Sequence, residues 1–225
     1  MSKKTLKING ATLALAYLVV GAVLAGLTLI FELLNYYHPK PILAQIAELV
    51  NITRESNPAV FFHLLGYLGC AALLWPVKSA PGGKSWKPIQ TGFLLLGLDE
   101  IGGIHERLGW TINHFYSPPP LLQKSWIVLA PLVLIPALFL LRRAAATLSE
   151  STRRYWILGS LLFVSGTVLL KPLAGWLSVY GSSPLYYFFT AVTEDSLKIA
   201  SLGFLLYAAS ETGRELVGST PLEFR

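Results

Sequence analysis

The chain has 225 residues, 53% of them hydrophobic and 13% charged, with a mean hydropathy of +0.55. A soluble domain carries about twice that share of charge, so composition excludes an ordinary soluble enzyme and points to a polytopic helical membrane protein. The net charge of +6 does not mark a nucleic-acid partner, because the basic residues fall where a membrane topology puts them. The single cysteine, Cys70, excludes an intrachain disulfide, a CxxC redox pair and a cysteine-rich zinc site.

Apolar runs long enough to cross a bilayer, about 20 residues each, lie near 11–34, 58–77, 88–113, 121–141, 155–179 and 184–210. The expected fold is all-α: one membrane domain, a bundle of six transmembrane helices with both termini cytoplasmic. Lys3, Lys4 and Lys7 precede the first run. That run is too long for a signal-peptide core and lacks an A-x-A cleavage site, so it reads as a retained helix. Lys78, Lys84 and Lys87 then fall in one cytoplasmic loop, Arg142, Arg143, Arg153 and Arg154 in the next, and Arg214 and Arg225 in the tail. Only Lys40, Arg54 and Lys124 face outward, which satisfies the positive-inside rule. Trp75, Trp86 and Trp156 fall near cytoplasmic ends and Trp110, Trp126 and Trp176 near outer ends, as two interfacial belts would.

The longest connection runs over 35–57. His38-Pro39-Lys40-Pro41 breaks the helix. Residues 42–50 then have helical spacing, with Ile42, Ile46 and Leu49 or Val50 on one face. This short helix is expected on the membrane surface or packed on the outer ends of the bundle. Asn51-Ile52-Thr53 matches a glycosylation sequon. Pro76 and Pro172, and Asp99 and Asp195, recur at one offset of 96 residues. Three spans per half would make this a 3+3 inverted repeat, the layout of transporters whose sites lie near the midplane.

The stretch Leu98–Trp110, LDEIGGIHERLGW, continues the third apolar run and puts ionisable groups inside a span. Such groups cost several kcal/mol each unless paired, hydrated or metal-bound. On an unbroken helix Asp99, Gly103, Glu106 and Trp110 share one stripe, and Glu100, Gly103 and Arg107 the next. Gly102-Gly103 removes two side chains and lets another backbone approach. The sixth run adds Glu194, Asp195 and Lys198, with Glu194 and Lys198 spaced to pair within the helix. The fifth adds Lys171 and the second His63. Five intramembrane acids then face Arg107, Lys171, Lys198 and two histidines, so carboxylates are left over for proton transfer or metal binding.

A divalent metal ion is the one cofactor these residues suggest. His63, His105, Asp99, Glu194 and Asp195 are the candidate ligands, since carboxylate with imidazole suits zinc, iron or manganese. Neither HExxH nor the Glu-x-x-His of di-iron bundles occurs. Asp99 and Glu106 stand about 10 Å apart along a helix and share one ion only if the glycine pair distorts it. Haem would need His63 facing His105 or His114. No G-x-S-x-G and no phosphate-cradling glycine loop is present.

LDEIGGIHERL resembles a run, LDE-x-x-x-x-HE, of uncharacterised bacterial multi-pass membrane proteins, carried here by Asp99, Glu100, His105 and Glu106. The span TEDSLKIASLGFLLYA is similar to their last helix, with Asp195 and Lys198 departing from its Glu-rich form. The resemblance covers about 30 residues and implies a shared site, with no activity attached. Membrane ceramidase-like hydrolases use a seventh span and an HxxxH pair that this chain lacks.

The leading expectation is a membrane enzyme acting on a lipid-like substrate at a site facing the exoplasmic half. Glu106 or Glu100 would be the acid/base, and Arg107, Lys171 and Lys198 would pair charges. The alternatives are a proton- or cation-coupled transporter using Asp99 and Asp195, and a non-catalytic membrane subunit with structural ion pairs. The expected location is the cell membrane, in a bacterium the inner one, with the bilayer as partner.

Overall fold

The structure, a computed structural model, describes residues 9–53, 60–117, 119, 125–180 and 184–218. Lys3, Lys4, Lys7, Arg54, Lys124 and Arg225, the first two residues of the second expected span and the first four of the fourth lie outside these. Among the described residues the chain is helical, with no strand.

Helix α1, Gly10–Tyr37, starts on Asn9, whose side chain accepts the Ala11 N–H at 3.0 Å. It stops at His38, before Pro39, where the following ring disfavours helical backbone. Helix α2, Pro41–Val50, folds back along α1. The Thr28 hydroxyl, 2.8 Å from the Val50 carbonyl, accepts the Ile52 N–H at 3.2 Å, and Asn51 donates to Glu32 at 2.6 Å. The inward face of α2 carries Ala47, while Ile42 and Leu49 are exposed. The buried face is rotated from the expected one and shares Ile46 and Val50 with it, both partly buried beside Ala47, whose small side chain lets α2 sit close. The sequon residue Asn51 is buried in this junction.

Helix α3, Val60–Leu74, is followed by two short turns, Val77–Ser79 and Gly83–Trp86. The third expected span is two helices: α4, Lys87–Gly102, and α5, Ile104–Phe115. Helix α6, Ala130–Ala145, follows the turn Ser125–Val128. Helix α7, Glu150–Val164, is capped by Ser149, passes into a π-turn over Ser165–Leu169 and continues as α8, Leu170–Tyr180. Helix α9, Pro184–Val217, runs 34 residues unbroken.

Helix α9 is the axis. It packs against α1, α3, α7 and α8, and α4 lies outside on α3. The core clusters around Tyr67, Cys70, Leu74, Trp86, Trp156 and Leu202. Trp86 and Trp156, expected at an interface, are fully buried with ring centroids 5.1 Å apart. The Trp156 indole donates to the Thr212 hydroxyl at 3.0 Å, a satisfied polar tip that lets so large a ring go inside. Trp75, Trp110 and Trp176 are exposed.

Among the described residues three stretches are long and apolar enough to cross a membrane: Gly10–Tyr37, Phe61–Ser79 and Glu150–Leu177. Large apolar side chains line the outside, among them Leu15, Val19, Leu132, Val133 and Phe139. The offset of 96 residues joins unlike positions. Pro76 lies beyond α3 whereas Pro172 lies within α8, and Asp99 stands in the last turn of a helix whereas Asp195 is in the middle of one.

Candidate functional site

The break between α4 and α5 is a glycine effect. Gly103 sits at φ 55° and ψ 37°, the left-handed region that glycine enters without a steric cost. Its N–H closes α4 on the Asp99 carbonyl at 2.8 Å, and its carbonyl accepts the Arg107 N–H at 3.0 Å, opening α5. Asp99 then caps the new helix. Its carboxylate accepts the His105 backbone N–H at 2.8 Å and the His105 ring Nδ1–H at 2.7 Å. A carboxylate at a helix N-terminus meets unpaired N–H groups and the positive end of the dipole. The break thus separates Asp99 from Glu100: Asp99 turns to α5, and Glu100 turns to the core.

Glu100 joins three helices. Lys198 of α9 donates to both its oxygens, at 2.8 and 2.7 Å. His63 of α3, 1% exposed, donates from Nδ1 to Oε1 at 3.0 Å. With the ammonium on both oxygens, Glu100 acts as acceptor, so the proton of the shared bond belongs to His63 Nδ1. In the neutral ring that leaves the lone pair on His63 Nε2, an atom that is buried and without a hydrogen-bond partner among the described residues. Buried polar atoms are nearly always partnered; among the described residues His63 Nε2 shares this lack with Trp86 Nε1 and Ser201 Oγ, and of the three only an imidazole nitrogen can take up a proton near neutral pH.

A second pair lies one turn away on α9. Lys171 of α8 bonds Glu194. Asp195, partly buried beside Lys198, Glu194 and Lys171, closes no salt bridge among the described residues. The spacing-based pairing of Glu194 with Lys198 does not form. Each lysine reaches to a carboxylate on another helix, since Lys198 faces α3 and α4 while Glu194 faces α8. The π-turn makes this approach possible. A Cβ on Gly166 would lie 2.8 Å from the Glu194 carbonyl oxygen and 3.2 Å from the Lys198 nitrogen, so only a glycine there lets α7 rest on this part of α9.

The expected metal ligands are therefore divided. His63 is with Glu100, His105 with Asp99, and Glu194 with Lys171. Among the described residues no three His, Cys, Asp or Glu side chains are grouped to hold a metal ion, and the Lys198 ammonium already covers both Glu100 oxygens. Glu106 lies in the first turn of α5 and shares no bond with the Glu100 group. Arg107 is exposed and closes no ion pair among the described residues. His105 meets the edge of Trp126 and His114 stacks on Trp110. Neither histidine faces His63, so no haem-ligand pair forms.

Two contributors escaped the sequence. Tyr67, one helical turn beyond His63, is buried as an electrostatic neighbour of Lys198 and Glu100; the i, i+4 spacing from His63 was the available signal. The Gly166 π-turn leaves no sequence mark beyond a glycine, yet such turns are frequent at functional sites.

The chain belongs to a family described as Domain of unknown function (DUF8692), whose family model matches residues 12–212. That span takes in Asp99, Glu100, His63, Glu194, Asp195 and both lysines. No curated protein and no solved structure is significantly similar to the chain.

Proposed function

We propose that the protein is a multi-pass membrane enzyme performing acid–base chemistry on a lipid-like substrate. One observation carries the reading: Glu100 holds the His63 ring through Nδ1, and Nε2 is buried without a hydrogen-bond partner among the described residues. A base oriented by a carboxylate through its other nitrogen is the arrangement proton abstraction calls for. In this reading His63 is the base, Glu100 positions it, and Lys198 supplies the compensating charge. Asp195 takes or returns a proton beside the two lysines. Glu100 thereby becomes a positioning residue rather than the acid itself. The positive charge comes from Lys198, so the reading assigns no resident metal ion to Glu100.

The setting is a six-span bundle in the cell membrane, in a bacterium the inner one, with both termini cytoplasmic. Three long apolar stretches, an apolar exterior and the distribution of basic residues support it. Ionisable groups inside such a bundle are functional by default, because the bilayer penalises them. The substrate class follows from the setting: an apolar molecule reaches a centre among helices most directly from the bilayer.

A second reading rests on its own observation. Glu100, Asp99 and Glu194 each already hold a partner, as in a non-catalytic subunit whose ion pairs only hold helices together. One experiment separates the two. Purified wild type and His63→Gln are placed in vesicles of a mixed bacterial phospholipid extract, and the lipids are followed by mass spectrometry. The enzyme reading expects one lipid class to change with wild type and not with a folded His63→Gln. Unchanged lipids with wild type, or equal change with both, overturn it.

A further inference from the structure

We propose that the cleft between α4, α6 and α7 binds an acidic phospholipid of the bilayer, with an acyl chain in the cleft and the phosphate on Lys87, Arg142 and Arg143. This rests on the membrane setting above and is independent of the role given to His63.

The cleft has a volume of about 160 Å³ and is lined almost wholly by apolar groups, including Phe93 and Leu96 of α4, Ala137 and Leu141 of α6, and Phe163 of α7. It exists because α6 stands off from its neighbours. The outward face of α6 carries exposed Leu132, Val133, Ile135 and Phe139. Pro136, in mid-helix, removes one N–H from the ladder. On the opposite wall a Cβ built on Gly92 would meet nothing within 4 Å. There is thus unfilled width beside α4, where a core would have placed a side chain.

The ends of the cleft differ. Pro88 and Leu141 line one end. Lys87 directly precedes Pro88, and Arg142 and Arg143 directly follow Leu141. The turn Gly83–Trp86 packs on α6, so the two basic groups are brought to the same end. All three side chains are exposed and close no salt bridge among the described residues. An apolar slot with unpaired cations at one mouth is complementary to one kind of bilayer molecule, an anionic headgroup with a hydrocarbon tail. Basic pockets beside transmembrane helices on the cytoplasmic side are a known physical form of headgroup recognition. The other end reaches Leu96, one helical turn before Glu100, and Val164, next to the π-turn. The acyl chain would therefore end near the level of the charged centre.

The test uses the full chain in phosphatidylcholine nanodiscs with a trace of chain-spin-labelled phosphatidylglycerol or, in parallel, chain-spin-labelled phosphatidylcholine. The readout is the motionally restricted fraction of each label. Wild type is expected to restrict phosphatidylglycerol over phosphatidylcholine by about fivefold or more. Replacing Lys87, Arg142 and Arg143 by Gln together should bring the ratio to about one, as expected if charge sets the preference. Gly92→Phe, or Ala137→Phe from the facing helix, should abolish the excess restricted signal. Two filling variants are used so that misfolding of one, judged by circular dichroism, leaves the other to decide. A ratio near one in wild type, or folded filling variants that retain the preference, overturns the proposal. Failure here leaves the lipid-conversion assay of His63→Gln unaffected, and a protein that does not enter nanodiscs at all refutes the membrane setting instead.

Discussion

Asp99 holds His105 twice, through the backbone N–H at 2.8 Å and the ring at 2.7 Å, across a helix break that lies between them. The bond pair fixes the angle at which α5 leaves α4, and Gly103 makes the turn feasible. Gly103→Ala is expected to lose about 1–2 kcal/mol, the strain of a side chain in the left-handed region. Asp99→Ala should lose about 1 kcal/mol as a helix cap. Both are read as thermal stability in detergent. Because both act on the same turn, the double variant should lose less than the sum; full additivity would detach the cap from the break.

Glu100 and Lys198 form a charge pair inside the core, and such pairs respond asymmetrically. Removing one partner strands the other at a cost of about 3–5 kcal/mol, whereas replacing both by apolar residues is close to neutral. Glu100→Leu and Lys198→Met should each destabilise strongly, and the double variant should recover the loss except for about 1–3 kcal/mol, the cost of leaving the buried His63 Nδ1–H without its acceptor. Chemical denaturation of the four proteins completes the cycle. Single variants as stable as wild type would mean that the pair is hydrated.

Gly166→Ala pits two effects against each other. Alanine favours a helix over glycine by about 0.5–1 kcal/mol. Against this, the added carbon meets main-chain atoms of Glu194 and Lys198, which cannot swing aside, and overpacking costs about 1–3 kcal/mol. The clash should win, and the variant should melt lower. A higher melting temperature would show that α7 and α9 can separate freely at the π-turn.

Glu215, at the end of α9, ties that helix to the start of α7. Its carboxylate accepts from the Ser149 N–H at 2.9 Å, the Ser149 hydroxyl at 2.6 Å and the Thr152 hydroxyl at 2.5 Å. Glu215 is exposed, and the little desolvation its carboxyl meets acts to raise its pKa, but the hydrogen bonds from Ser149 and Thr152 outweigh it and hold the carboxyl below its ordinary value. A carboxyl depressed in the folded state lends stability above its unfolded pKa, about 4.3, and withdraws it as pH falls through the folded value. Melting temperature should therefore fall with acid over that window. Glu215→Gln should show a shallower fall and a lower plateau near neutrality; curves that are parallel throughout would remove Glu215 from the effect.

The helical class and the ionisable residues on the third and sixth apolar runs were legible because composition and period are local properties. The count of acids against bases did not decide the pairing: among the described residues Asp195 closes no salt bridge, and neither does Arg107. The partner assignments were not legible. Glu194 and Lys198 have the right spacing to pair, yet each turns to a different helix, because the rotation of α9 against α3 and α8 is decided by distant packing. The Gly102-Gly103 pair marks a place of close approach in the sequence. Its other capacity, a left-handed residue that ends one helix and starts the next, depends on Asp99 and His105 being able to meet across it. Trp86 and Trp156 look interfacial by position and are core residues by contact: Thr212 satisfies the Trp156 indole, while the Trp86 indole is buried without a hydrogen-bond partner among the described residues.

Cys70 lies at 0% exposure in the middle of the core. Thiol reagents added to the folded protein should find nothing to modify, so the wild-type chain already serves as its own cysteine-free background. Single cysteines placed at Lys40, Lys84, Ser149 or Arg214 can then be scored from either side of the membrane with an impermeant maleimide, without first rebuilding the interior around a missing sulfur.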